Sequence, residues 1–406
     1  MLPVDEALRI VLEKTPVLGT EEVLLSECLG RVLAEDVCSD LEMPPFDRSM
    51  MDGYAVRSAD VAFTPARLRI AGVVRAGQLP TVAVEAGHAV QVMTGAPVPA
   101  GADAVQQVEQ TRAEAGCVEI LASVQPGHNV APRASEVARG QRVLEQGVTI
   151  DPPTIAVLAT FGKARVRVGR RPTLAVLVTG DELVDASDRP EGAQIRNSNG
   201  YAVMAQASCA GAQVSSLGVV GDESERIAAA VEKGLLLNAL VVSGGVSEGT
   251  FDLVEDAFAR FGVEVFFSKV RIKPGAPLVF GRRGDAIVFG LPGNPVSAQV
   301  TFDVFVRAAL LRMQGASCVS RPRLEVELLA PLRNKSKRAA YLPVRARLEA
   351  GRLVAEPICS MGSADVVAHA RANALAILEP TRERALAGER VPALLLGNFL
   401  DRDDAA

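Results

Sequence analysis

The 406-residue chain is 49% hydrophobic and carries a formal net charge of −5. That apolar content, with a mean hydropathy of +0.21, excludes a disordered chain and supplies several cores, and roughly 150 residues per domain gives about two to four domains. The acidic balance and the lack of a long basic block exclude a dedicated nucleic-acid backbone binder, and no uninterrupted apolar run approaches a membrane span.

Six cysteines lie far apart without a CxxC pair, and there are three histidines, so neither a disulfide framework nor a structural zinc site is expected. The opening stretch MLPVDEALRIVLEK carries acids and no continuous apolar core, which reads as no secretory leader. A soluble cytoplasmic protein is the expectation.

Val4, Leu8, Val11 and Leu12 share one helical face. Beyond about residue 42 the texture changes. Pro44, Pro45 and Gly53 are followed by short β-rich pieces such as ARLRIAGVV and AVQVM, which predicts a small β module. From about 141 to 168 the pattern becomes apolar and helical, centred on TIAVLATFG. From 171 to 315, apolar strands alternate with helices four times, beginning with TLAVLVTGDE and closing on DAIVFGLPGN. Strands apolar throughout imply a parallel sheet covered on both faces. Residues 318 to 406 lose the alternation and read as short strands with Gly and Pro turns.

In a doubly wound sheet, ligands sit beyond the carboxyl ends of the strands. One strand here ends in Thr179-Gly180-Asp181-Glu182 and another in Gly221-Asp222. A third ends in Ser243-Gly244-Gly245-Val246-Ser247, and a fourth in Leu291-Pro292-Gly293-Asn294-Pro295. A turn or helix cap explains any one of them; their convergence on one sheet edge points to a pocket. Glycines admit an anion to backbone N–H groups, and Ser243 and Ser247 add hydroxyls. Asn294 is placed to cap the next helix and Pro295 to open it. Asp181, Glu182, Asp222 and Asp252 are the hard oxygen donors that magnesium prefers, although Asp252 also suits the first turn of its helix. Lys269 and Lys273, in KVRIKPGAP, lead back towards the sheet edge as candidate anion contacts. A second constellation precedes the sheet: MPPFDRSMMDGYA holds Asp47, Ser49 and Asp52, and VMTGAPVP holds Thr94. Taken alone, these favour a hairpin and a rigid loop.

SMMDGYA, MTGAPVP, TGDEL, SGGVSEGTFD, KPG and GLPGNPVSA, in this order, resemble the molybdopterin molybdenumtransferase family, the MoeA type that includes the E domain of gephyrin. The resemblance covers nearly the whole chain. It implies an α/β multidomain fold in four parts. These are a helical linker domain (1–43 plus 137–170), an inserted β-rich module (44–136), a central doubly wound, mostly parallel α/β domain of molybdopterin-binding type (171–316) and a small C-terminal β domain (317–406). The implied activity inserts molybdate into adenylylated molybdopterin and releases AMP, with Mg2+ as cofactor. A homodimer with shared active sites is implied, with the adenylyltransferase and molybdoenzyme acceptors as further partners and neither nucleic acid nor membrane.

By the same resemblance, Asp52, Thr94 and Glu136 come from the second protomer. Thr179, Gly180, Asp222, Ser243, Gly244, Gly245 and Ser247 bind substrate, together with Lys269, Pro292, Asn294, Pro295 and Ser363. Asp52, Asp252, Glu182 and Lys273 are the candidate catalytic residues, and Asp181, Glu182, Asp222 and Asp252 the candidate metal ligands. The chain departs from the family pattern at Ala134, where a glycine is usual, at Glu136, at Ala276, where a lysine is usual, and at Ala364, where a histidine is usual. Two other functions fit parts of the sequence: the adenylyltransferase, which shares the central domain type, and a non-catalytic molybdopterin-binding or scaffold paralogue.

Overall fold

The computed structural model describes residues 1–245 and 253–397. Ser247 and Asp252 lie outside the described residues. The chain divides into two compact units, one made of 36–145 with 152–164 and the other of the remainder.

The smaller unit is built on a six-stranded sheet in the order Ala104–Gln107, Gly53–Val56, His88–Val92, Ala66–Val74, Cys117–Ile120, Thr111–Glu114. Simple alternation along ARLRIAGVV would put Leu68 and Val74 on one face; an irregularity between Ile70 and Gly72 shifts the register, and the two belong to separate apolar clusters. The Asp52-Gly53 pair is no hairpin turn. Gly53 already pairs with both Val92 and Gln107. A Cβ on Gly53 would lie 2.0 Å from the Gln106 carbonyl oxygen, so glycine is required by the close approach of the neighbouring strand.

The apolar stretch at 141–168 holds one helix, Pro152–Thr160, followed by a strand, Arg165–Gly169. RVRVG alternates arginine and valine, a period of two that seats Val166 and Val168 inside while the arginines face out. This strand pairs with Thr20–Leu24 in the larger unit.

In the larger unit the central sheet runs Gln213–Val220, Thr173–Thr179, Ala239–Ser243, Ala286–Leu291, Pro277–Arg283, Glu264–Lys269. The first four strands are parallel, Pro277–Arg283 runs antiparallel to both its neighbours, and Glu264–Lys269 returns to the direction of the first four. Ala239–Ser243 and Ala286–Leu291 are buried at every position, as a sheet covered on both sides requires. Helix Asn199–Cys209 and the helical run from Pro295 to Met313 cover one face. Ser224–Gly234 and Leu253–Arg260 cover the other. The chain leaves Thr173–Thr179 in one direction for Gln213–Val220, then returns past it to Ala239–Ser243. The switch point therefore lies between Thr173–Thr179 and Ala239–Ser243, where ligand clefts form.

Five C-terminal strands close on themselves. Ala339–Glu349 pairs with Arg352–Pro357 on one side and Ala374–Leu378 on the other, and Arg323–Leu328 and Arg390–Leu395 complete the ring. Closure removes the unpaired edges that five short strands would otherwise expose. Its interior is small and aliphatic, with Val326, Ala340, Val344, Ala376 and Val391. Ile272–Lys273 adds in parallel to Ala339–Ala340, which ties Lys273 to the barrel.

Candidate functional site

The strand ends open into a cleft of about 1010 Å³. Thr179, Gly180, Asp181 and Glu182 line it, with Asp222, Ser243, Gly244, Gly245, Asn294 and Pro295, so the four strand-end loops do converge. Gly244 makes the convergence possible. Its φ is +101°, and a Cβ there would sit 2.4 Å from the Thr179 carbonyl oxygen, so two strand ends meet backbone to backbone. Next to it the Thr179 hydroxyl is buried without a hydrogen-bond partner among the described residues. Thr179 lines the cleft, and its hydroxyl is a donor and acceptor that no described group satisfies.

Asn199, the first residue of its helix, clamps the loops. Its Nδ2 donates to Ser243 Oγ at 2.9 Å and to the Gly293 carbonyl at 2.7 Å. The Ser243 hydroxyl, itself fully buried, reaches the Pro292 carbonyl at 3.4 Å. Ser243 therefore holds the wall of the cleft together. Sequence reasoning missed Asn199, although the polar run RNSN at a strand-to-helix junction was a signal for it.

One side of the cleft is acidic. Asp181 Oδ1 accepts the Asp222 N–H at 3.0 Å. Burial, then the charges of Asp181 and Glu182, push the Asp222 carboxyl above its ordinary range. Among the described residues no three side chains are grouped so as to hold a metal ion. The donors are nevertheless of the hard oxygen kind, and their mutual repulsion is what a divalent cation relieves.

A second cavity of about 550 Å³ lies across the Pro292-Gly293-Asn294 loop, which walls both spaces. Lys273 and Ser363 line it, as does Arg338, which sequence reasoning missed because barrel closure brings it there. The Ser363 carbonyl accepts the Val296 N–H at 2.9 Å and so fixes the start of the helix. Pro295 occupies the first helical position, but the Asn294 side chain makes no capping bond. Asn294 lines both cavities instead. Ala276 also lines the second cavity, at 4% exposure, so a lysine there would have to displace packed neighbours. Lys269 ends the outer strand, its carbonyl accepting the Leu2 N–H at 3.2 Å, and lines neither cavity.

In the smaller unit, Asp52 Oδ1 accepts both the N–H and the hydroxyl of Thr94, at 2.6 and 2.9 Å. These bonds hold the Asp52 carboxyl below its usual range, the backbone bond contributing most. Arg48–Ser49 lies between the two neighbouring segments: Ser49 exchanges backbone bonds with Gly95 and Ala96, and the strand pairs with Val130–Ala131. Glu136 forms an ion pair with Arg48 at 2.8 Å. Asp47 accepts the Arg133 N–H and Ser49 the role of loop brace, its hydroxyl donating to the Met51 carbonyl. Ala134 sits at φ +60°, the left-handed region that glycine adopts without strain.

Three family models match the chain: "MoeA N-terminal region (domain I and II)" over residues 2–162, "Probable molybdopterin binding domain" over 175–312 and "MoeA C-terminal region (domain IV)" over 325–396. The molybdopterin molybdenumtransferase of Bacillus subtilis is 34% identical over 97% of this chain and 94% of its own. That of Staphylococcus epidermidis is 32% identical over 97% and 95%. Among solved structures, a molybdopterin biosynthesis moeA protein from Pyrococcus horikoshii superposes with a TM-score of 0.83 at 29% identity, covering 97% of this chain and 100% of that one.

Proposed function

We propose that this chain, which belongs to the MoeA family of molybdopterin molybdenumtransferases, transfers molybdenum from molybdate to adenylylated molybdopterin and releases AMP. The observation that carries the reading is the pair of cavities separated by one loop. The larger, with its glycine-lined strand ends, has room for a pterin joined to a nucleotide, and a preformed cleft of this kind is the usual form of a small-molecule site. The smaller offers Lys273, Arg338 and Ser363, the donors a tetrahedral dianion needs.

In this reading the Gly244–Gly245 backbone and the Thr179 hydroxyl bind the phosphates, while Asn199 keeps the shared loop in register. Lys273 and Arg338 hold molybdate close to the dithiolene sulfurs, so the protein acts by positioning two anions. Asp181, Glu182, Asp222 and, by its place in the sequence, Asp252 are the residues that would hold magnesium. That ion, when bound, would polarise the phosphoanhydride. Asp52, kept ionised by Thr94, acts from the partner of a homodimer, and the chain is organised in the four parts 1–43 with 137–170, 44–136, 171–316 and 317–406. An adenylyltransferase would have no use for the smaller cavity, whose Arg338 and Ser363 come from outside the central domain, and this favours the transferase over that alternative.

The test is to incubate the pure protein with adenylylated molybdopterin, molybdate and magnesium and to follow AMP. Release that depends on molybdate supports the reading. Binding of the nucleotide without molybdate-dependent turnover would leave a carrier or scaffold.

A further inference from the structure

The second cavity contains a side chain whose polar atom is unanswered. His369 lies on the short helix Val366–Arg371, is 8% exposed and forms part of the cavity wall. Its Nδ1 is buried with no hydrogen-bond partner among the described residues. A buried polar atom left unpaired costs stability, so an apolar residue would be the better choice here if packing were the only demand. Lys273 and Arg338 share the cavity, as do the residues Ser297, Ser360 and Ser363. Cations, serines and an unpaired imidazole around one space form a receptor for an oxyanion, with a ring nitrogen free to take up a proton.

We propose that His369 takes up a proton when a tetrahedral oxyanion enters the second cavity, so that the anion binds together with one proton. The proposal rests on the reading of this cavity as the oxyanion site. No bond other than N–H is made: solvent supplies the proton, and the neutral imidazole becomes imidazolium beside the anion.

The surrounding charges suit this role. In the empty cavity, burial pushes the imidazole's proton affinity down, opposed by the Asp303 carboxylate from the helical run beneath. Asp303 is itself committed, paired with Arg321 at 2.6 Å and accepting from Gln206 at 3.1 Å, and Arg307 lies near both members of that pair. It is therefore a weak partner for His369. On the imidazole's own helix, Arg371 is cationic, and at its start Asp365 is held in its ionised form by the N–H groups of Ala368 and Met361. From the barrel strand Ala339–Glu349, Tyr341 also lines the cavity; burial pushes its hydroxyl up to about 12, and the charges that act on it are those of Arg323, Asp5 and Glu379, so it stays neutral. Helix Pro295–Thr301, also packed on this helix, has no titratable residue. With Lys273 and Arg338 on the remaining walls, the empty site disfavours an imidazolium, and an arriving dianion reverses that balance.

The linkage has a definite sign. The imidazole's proton affinity is low in the free protein and higher in the complex. Anion affinity therefore rises as pH falls between those two values, by up to about tenfold per pH unit.

The test is calorimetric titration of the full chain with molybdate between about pH 5 and 8 in buffers of different ionisation enthalpy. Sulfate is run in parallel because its own charge is constant over that range. The wild-type protein should bind more tightly at lower pH and take up about one proton per anion. His369→Gln, and His369→Leu should the first variant fold poorly, should bind with a flat pH profile and no proton uptake. If either folded variant keeps the wild-type slope and uptake, the proposal is overturned. A Lys273→Ala protein separates the two levels of the argument. If it binds molybdate as wild type does, the cavity is not the oxyanion site and the underlying reading fails. If it loses binding while the His369 variants keep the slope, only the role of His369 is lost.

Discussion

One carboxylate oxygen of Asp52 receives both the backbone N–H and the hydroxyl of Thr94, at 2.6 and 2.9 Å. The Asp-Gly and Thr-Gly stretches, 42 residues apart in sequence, are thereby joined at a single exposed anion. Because the bonds favour the ionised form, Asp52 should titrate below the ordinary carboxylate range. Thr94→Val removes the hydroxyl bond and leaves the N–H bond, so the Asp52 titration midpoint should move part of the way back up. Carbon-detected NMR of the side-chain carboxyl reads this directly. A midpoint unchanged in the variant would mean that the hydroxyl contributes nothing.

Asn199 gives a second expectation. Replacing it with alanine leaves the Gly293 carbonyl unanswered and takes a donor from the fully buried Ser243 hydroxyl. The stability loss should be about 1–3 kcal/mol. Substrate affinity should fall as well, because the loop carrying Pro292 to Asn294 walls both cavities. Denaturant midpoints and nucleotide binding are the two measurements. Lost stability with unchanged binding would make Asn199 a purely structural residue.

Ala134 should respond in the opposite direction. At φ +60° an alanine is strained by roughly 1 kcal/mol relative to a glycine, part of which glycine's greater freedom in the unfolded chain offsets. Ala134→Gly should therefore stabilise the protein by up to about 1 kcal/mol, seen as a higher Tm. A lower Tm would show that the segment holding Glu136 against Arg48 gains more from a stiff backbone than it loses to strain.

These residues also mark what could be read from the sequence. The pocket was legible because its makers are local: Thr179 to Glu182, Gly244 and Asn294 each end a strand, and strand ends share an edge once the sheet is parallel. Long-range closure was not legible. Arg338 and His369 reach the second cavity only because Ala339–Glu349 pairs with Ala374–Leu378, a register no local pattern announces. At 165–169 the apolar context hid a two-residue alternation that makes a strand. Lys269 and Lys273 looked equivalent in KVRIKPGAP, but only Lys273 lines the second cavity.

Asp222 supplies a pH-dependent prediction. Its carboxyl is raised by burial first, then by Asp181 and Glu182. The folded state thus binds this proton more tightly than the unfolded state does. Stability from this group is fully present below the unfolded pKa and is lost as pH rises through the raised folded value. Asp222→Asn should flatten that loss and stabilise the protein at neutral pH. Magnesium should raise the wild-type denaturation midpoint at neutral pH and have less effect on the variant. Equal midpoints with and without magnesium would remove these carboxylates from any metal site.

The proposed sharing of active sites across a dimer can be tested with two residues from different units. Asp52 belongs to the smaller unit and Lys273 to the larger. If one protomer supplied both, mixing Asp52→Ala with Lys273→Ala protein would give only damaged sites. If sites are shared, each heterodimer pairs one doubly damaged site with one intact site. Random reassembly makes about half of the dimers heterodimers, so activity should recover to roughly a quarter of wild type. The parents must be dissociated together, since a large obligate interface exchanges slowly, and each alone must be nearly inactive. Heterodimers demonstrated by mass, yet no more active than the average of their parents, would place Asp52 and Lys273 in the same protomer's site or leave one of them outside the chemistry.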